Sequence, residues 1–123
     1  MIRKSTDEKR NLTVQTCTGV ISSQEIEEAI MSVYDGKPTR NQLWDLTGAN
    51  VENIDRSSIR QFAKLVSERG HGRSGGKTAI VSSVDLGFGL ARVYGVMADI
   101  TDQQIEVRVF RSIDEANAWV DED

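Results

Sequence analysis

Residues 77–110 read KTAIVSSVDLGFGLARVYGVMADITDQQIEVRVF and contain the most informative pattern in the chain. The unbroken apolar run Ala79-Ile80-Val81 predicts a strand buried on both faces, as in the interior of a parallel sheet. Residues 105–109 alternate between apolar and charged side chains, which favours an edge strand. Between them, residues 85–100 predict a helix whose large apolar side chains keep helical spacing: Leu86, Leu90, Val93, Met97 and Ile100. This order predicts a parallel βαβ unit.

The alternation of helices and strands extends over most of the remaining chain. Residues 22–25, Ser-Ser-Gln-Glu, fit a capping box at the start of a helix. Residues 43–46 fit a short strand, and a second helix with a buried stripe is predicted from residues 55–58 up to Gly70, which ends it. Residues 112–120 predict a last helix, which again begins with a capping-box pattern.

Two strands precede this alternation. Residues 1–6 and 12–20 are joined by a charged turn, and Leu12, Val14 and Val20 are expected on one face of the second strand. Such a hairpin belongs at the edge of a sheet. The whole pattern predicts an α/β fold with a mixed, mostly parallel sheet of about five strands, the first one antiparallel, and helices on both faces.

The length indicates one domain, residues 1–123, and the 38% of hydrophobic residues becomes an ordinary globular proportion when the 10 glycines are added. A net charge of −4 disfavours nucleic acid or an anionic membrane as the main partner. The single cysteine, Cys17, excludes an intrachain disulfide. We find no signal-peptide pattern and no run of ~20 apolar residues that could span a bilayer, so we expect a cytoplasmic protein.

The predicted second helix begins with Asp55, Arg56, Ser57 and Ser58, a segment suited to a phosphorylation switch. A phosphate on either serine would meet free backbone N–H groups and the positive end of the helix dipole. Arg56 and Arg60 could pair with its charge of about −1.5 to −2. The alternative is that Asp55 or Ser58 only caps the helix.

Polar side chains follow the predicted strands at their carboxyl ends, where ligands bind in open α/β sheets. They are Asp45, Thr47, Ser82, Ser83, Asp85 and Arg111. A carboxylate near hydroxyl groups could serve acid–base chemistry, although capping and turn formation explain these residues equally well. The sole histidine, His71, is predicted near the opposite ends of the strands, so no base is evident to activate a serine. We therefore expect no enzyme, no metal site and no cofactor.

The glycine-rich segment HGRSGGKT at residues 71–78 nearly matches a phosphate-binding loop. His71 replaces the first glycine of that motif, and the segment follows a helix and precedes a strand, which is the wrong order for cradling phosphate. Arg69, His71, Arg73 and Lys77 could instead attract an anion or an acidic partner. The alternative is a flexible, solvated loop.

The predicted third helix combines large apolar side chains with glycines at positions 87, 89 and 95. Leu86, Phe88, Leu90 and Tyr94 are candidates for lining a ligand pocket, with the glycines permitting close approach. Alternatively, the helix packs tightly on the sheet and the glycines mark places where backbones nearly touch.

Residues 43–49, 77–97 and 107–116 resemble the SpoIIAA-like family, a group of bacterial proteins related to STAS and SEC14 (CRAL-TRIO) domains. The resemblance covers nearly the whole chain. It implies protein binding, because STAS domains of the anti-sigma-factor-antagonist type are interaction modules. Their switch is a serine or threonine that follows an aspartate at a helix start, which the resemblance places at Ser57. Arg56 and Ile59-Arg60 differ from the residues usual in that motif.

Two functions follow from these observations. The first is a non-enzymatic regulatory module that binds an unknown protein partner and is controlled at residues 55–58. The second, implied by the SEC14 side of the resemblance, is a small carrier that holds an apolar or lipid-like ligand against the third helix. A homodimer is compatible with both.

Overall fold

A computed structural model describes residues 1–101 and 103–122 of the chain. The five strands found there are β1 (Ile2–Asp7), β2 (Leu12–Val20), β3 (Asn41–Asn50), β4 (Lys77–Val81) and β5 (Glu106–Phe110). The four α-helices of the same residues are α1 (Ser23–Tyr34), α2 (Arg56–Arg69), α3 (Asp85–Ile100) and α4 (Ile113–Val120). A short 3-10 helix, Gly70–Arg73, follows α2 directly.

The strands form one sheet in the order β1-β2-β3-β4-β5, with β1 antiparallel and the other pairs parallel. The predicted mixed sheet is therefore confirmed, as is the interior position of β4. Each crossover from β2 onward steps in the same direction across the sheet. Right-handed crossovers of this kind place all their helices on one face, so α1, α2 and α3 share one side and α4 covers the other.

The two faces of the sheet carry separate cores. The α4 core consists of Leu12, Leu43, Ala79, Val81, Ala116, Trp119 and Val120. The three-helix core, under α1, α2 and α3, consists of Ile30, Val51, Ile54, Ile59, Phe62, Val66 and Ile105. Helices on both faces of the sheet were predicted, and this arrangement confirms them.

β3 is longer than the four-residue strand predicted, because the pairing of β2 with β3 continues past an irregularity. Thr16 pairs with Asp45 but Thr18 pairs with Gly48, so the register shifts between the two pairs. The extra residue lies on β3, because Asp45 and Gly48 are three residues apart where Thr16 and Thr18 are two, so the alternation of faces along β2 continues unchanged. Val20 keeps the spacing that was predicted to put it on the face of Leu12, but it is the last residue of β2 and is 60% exposed.

α3 has the predicted length, and Leu90, Val93 and Met97 of the predicted stripe are half-buried against the three-helix core. The buried residues of this helix are the small ones, Gly87, Ala91 and Ala98, whereas Leu86 and Ile100 of the predicted stripe are 51% and 71% exposed. The helix is apolar on several sides, so the spacing of its large residues does not fix its rotation. Close packing on the sheet selects the small residues: a Cβ added at Gly87 would lie 3.1 Å from the Cβ of Ser82.

The glycine-rich segment is ordered, and its prediction as a solvated loop is wrong at Arg73. The 3-10 helix turns this side chain inward, where only 2% of it is exposed. Lys77 donates from its Nζ to the carbonyl oxygens of Trp119 and Glu122, at 2.8 and 2.7 Å, and so fastens the end of α4. Of the four cationic side chains predicted to attract an anion, Arg69 and His71 remain exposed.

Candidate functional site

The start of α2 is organised around Asp55, which is the N-cap of the helix. Its Oδ1 accepts hydrogen bonds from the backbone N–H of Ser58 at 2.8 Å and from the hydroxyls of Ser57 and Ser58 at 2.8 and 2.9 Å. The backbone N–H of Ser58 is the largest cause that lowers the pKa of Asp55 below its usual range, and the two hydroxyls add to it. The carboxylate is therefore held ionised at a helix N-terminus, which also favours negative charge.

The two serines of this segment differ in their surroundings. Ser57 is exposed, whereas Ser58 is half-buried and accepts a hydrogen bond from the hydroxyl of Ser23 at 2.7 Å. Ser23 begins α1, so Ser58 links the starts of two helices. Ser57 makes its hydrogen bond to Asp55 alone and is open to solvent, which makes it the serine of the pair that a modifying enzyme can reach. Arg56 and Arg60 are both exposed on the same helix.

The polar residues at the strand ends fall into two groups. Asp45 accepts hydrogen bonds from the backbone N–H and the hydroxyl of Thr47, at 3.0 and 2.6 Å. Ser82 is buried beneath α3 and donates to the carbonyl oxygen of Val84 at 3.3 Å. Both patterns are local, and neither connects one strand end to the other.

The remaining residues at these ends are held at the surface around Arg111. Its guanidinium forms an exposed ion pair with Asp85 at 2.9 Å and lies 4.2 Å from the centre of the Phe88 ring. It also donates to the carbonyl oxygen of Ser83, at 3.5 Å. Because the strand order never reverses, the sheet lacks the topological switch point at which α/β folds open a ligand crevice.

A cavity of about 90 Å³ lies inside the three-helix core. Two of the four predicted pocket residues, Leu90 and Tyr94, line it. Leu86 is half exposed on the outer side of α3, and Phe88 packs under Arg111 instead. The walls come mostly from apolar side chains of α1, the sheet, α2 and the segment that precedes α2, among them Ile26, Trp44, Leu46, Ile54, Phe62 and Ile80.

The cavity is also lined by Arg73 and Gln42. Nothing in the sequence associates these two polar side chains with each other. Both are almost fully buried. Tyr94, also on the wall, has its pKa raised by burial and therefore stays a neutral phenol. No local sequence pattern could have identified Gln42, because it occupies an ordinary alternating position in β3.

The remaining candidates show no reactive chemistry. Burial, reinforced by the charge of Asp45, raises the pKa of the Cys17 thiol to about 12, so the thiol is protonated at neutral pH. Among residues 1–101 and 103–122, no three histidine, cysteine or acidic side chains are grouped so as to hold a metal ion. None of the helices described is long and apolar enough to cross a membrane.

No family model matches the chain, and neither does any curated protein. Among solved structures it is similar to an anti-sigma factor antagonist from Mycobacterium paratuberculosis, with a TM-score of 0.64. The match covers 99% of this chain and 94% of that one. The fold is of the STAS/SpoIIAA type. This confirms the fold that the resemblance implied, and at 14% identity the likeness establishes the fold alone.

Proposed function

We propose that the protein is a regulatory module that binds another protein through the surface around the start of α2. The observation that carries this proposal is the arrangement of Asp55, Ser57 and Ser58, in which an exposed hydroxyl lies 2.8 Å from the carboxylate that caps the helix. The similarity in fold to an anti-sigma factor antagonist supports the class of function. The proposed role requires no catalysis by this protein, and it includes a cytoplasmic location, where ATP-dependent kinases act.

Phosphorylation of Ser57 is the proposed control. The Ser57 oxygen attacks the γ-phosphorus of ATP in a partner kinase, ADP leaves, and the hydroxyl proton passes to a base of that kinase. The product places a charge of about −1.5 to −2 beside the Asp55 carboxylate. The two anions repel each other, while the helix N-terminus and the nearby Arg56 attract the phosphate. The cap of α2 is therefore rearranged, and the surface offered to a partner changes.

The experiment compares Ser57→Ala and Ser57→Asp as baits in affinity purification from the native host, followed by titration calorimetry with the purified partner. We expect Ser57→Ala to bind like the unmodified protein and Ser57→Asp to bind about tenfold or more weakly, a change of ~1.4 kcal/mol. Ser5→Asp is the matched control, because it adds the same charge at an exposed position on β1. Equal affinities for the Ser57 variants would contradict the proposed control.

A second function, the carriage of a small apolar ligand, is favoured by the cavity in the three-helix core. Its volume of about 90 Å³ is well below the ~300–1,000 Å³ of pockets for drug-sized molecules. A long lipid chain is therefore a poor candidate in this conformation, and a small molecule is a better one. Native mass spectrometry of protein purified from its host tests this function, since a carrier retains a ligand mass that denaturation removes.

A further inference from the structure

Arg73 is a buried cation without an acidic partner. Its Nε donates to the carbonyl oxygen of Arg40 at 3.0 Å and its Nη1 to the hydroxyl of Tyr34 at 3.2 Å. Its Nη2 donates to the carbonyl oxygen of Lys77 at 2.6 Å and to the hydroxyl of Thr78 at 3.0 Å. All four acceptors are neutral, and no carboxylate in the described chain lies within ion-pair distance. A buried charge normally requires a counter-ion.

Gln42 supplies an unused donor next to this cation. Its Oε1 accepts a hydrogen bond from the indole Nε1 of Trp44 at 3.2 Å, but its Nε2, fully shielded from solvent, has no partner. Gln42 on β3 pairs with Thr78 on β4, whose hydroxyl accepts from Arg73. Paired residues of neighbouring strands lie ~4.8 Å apart and point to the same face. The amide and the guanidinium are therefore neighbours on the cavity wall.

We propose that the cavity binds a small apolar carboxylate, whose head group accepts hydrogen bonds from Arg73 and Gln42. The carboxylate supplies the missing counter-ion and uses the unpaired amide, and a guanidinium is well suited to that head group. The rest of the wall is apolar and receives the hydrocarbon part of the ligand. This inference gives a chemical class to the carrier function and does not depend on protein binding at α2.

The charge and the volume define the ligand further. One unpaired cation matches one negative charge, and the apolar walls disfavour a strongly hydrated dianion such as phosphate. The cavity, at about 90 Å³, is smaller than the ~150 Å³ cavity that holds benzene in an engineered protein. A short aliphatic acid such as butyrate is therefore the appropriate probe.

The test follows the two tryptophan indole signals by NMR while sodium butyrate is added at pH 7. Trp44 lines the cavity and donates to Gln42, whereas Trp119 lies in the α4 core across the sheet. We expect the Trp44 signal to shift saturably and the Trp119 signal to stay in place. Butyramide, a neutral molecule of the same shape, is expected to bind at least about tenfold more weakly, because it lacks the charge.

Gln42→Glu sharpens the test, because it places a carboxylate of the same shape beside Arg73. We expect this variant to lose the response to butyrate and to unfold at a higher temperature than the wild type. Gln61→Glu adds the same charge on the exposed face of α2 and should do neither. An unresponsive Trp44 in the wild type, an equal response to butyramide, or butyrate binding retained in Gln42→Glu would overturn the proposal. The wild-type comparison needs no variant to fold, and none of these outcomes bears on Ser57.

Discussion

The two faces of the five-stranded sheet are packed in different ways. The α4 core is closed by a single helix of eight residues, and its buried members are all apolar. The three-helix core has three helices above it and still contains a cavity, whose wall includes a buried arginine and a glutamine with an unpaired amide. The face with more covering structure is the less completely filled one.

This difference suggests that the α4 core mainly stabilises the fold, whereas the three-helix core also carries features that cost stability. Cavities and buried polar atoms without partners both lower the stability of a folded protein. On the α4 face the core residues described are apolar, and Trp119 adds ring contacts: its ring lies 5.1 Å from Lys77 Nζ, 5.1 Å from Arg108 Cζ and 5.6 Å from the Phe110 ring. The fold is held firmly from one side, which leaves the other side free to carry polar groups and space.

The largest expected effect is the loss of Trp119. Trp119→Ala removes the largest side chain of the α4 core and should lower the free energy of unfolding by ~3–5 kcal/mol. Leu90→Ala, at a half-buried position beside the existing cavity, should cost ~2 kcal/mol or less. Urea-induced unfolding of both variants measures the difference. Equal losses would show that the two faces contribute alike.

A smaller effect is expected where α3 lies against the sheet. Gly87→Ala places a Cβ against buried Ser82 and should cost ~1–3 kcal/mol through overpacking. Gly89→Ala, two residues along the same helix, meets no atom within 4 Å and should gain up to ~1 kcal/mol from better helix propensity. Thermal unfolding of the pair is the measurement. A Gly87→Ala variant as stable as the wild type would show that α3 can shift into the space of the cavity.

The smallest effect concerns acid stability at the start of α2. The pKa of Asp55 is lowered in the folded protein, so its contribution is present above the pKa of the unfolded chain and is lost as pH falls through the lowered value. Asp55→Asn keeps a capping side chain but cannot ionise. We expect its unfolding midpoint to fall less steeply than that of the wild type below about pH 4. Parallel slopes would mean that this carboxylate contributes nothing to acid stability.

The sequence predicted what depends on order along the chain. Strand and helix alternation is a property of neighbouring residues, so the sheet, the antiparallel β1 and the caps at Ser22 and Asp55 follow from it. The rotation of α3 was predicted only in part, because large apolar residues occur around much of its circumference and only Leu90, Val93 and Met97 of the predicted stripe reach the core. The packing of Gly87 on Ser82 decides it, and that contact appears only after the chain has folded.

The sequence predicted only some of the residues that line the cavity, for a related reason. Leu90 and Tyr94 carry an apolar signal in the sequence, but Arg73 lies in a glycine-rich segment whose composition is typical of solvated loops. Its burial depends on acceptors from three separate parts of the chain, at Tyr34, Arg40 and Thr78. The segment at Asp55 was easier to find, since a cap and its helix are adjacent in sequence.

Because α4 follows all five strands in the chain, the ribosome makes the sheet before it makes the helix that covers the second face. Every strand pairs with the strand that precedes or follows it in chain order, so each strand after β1 finds its first partner already made when it emerges. The second face of the sheet, with Leu12, Leu43 and Val81, stays uncovered until α4 has been made. Only then does Arg10 reach Asp121, at 2.9 Å, and tie the first turn to the last helix. Nascent chains that stall before α4 present a bare apolar sheet, which is the kind of surface that chaperones bind.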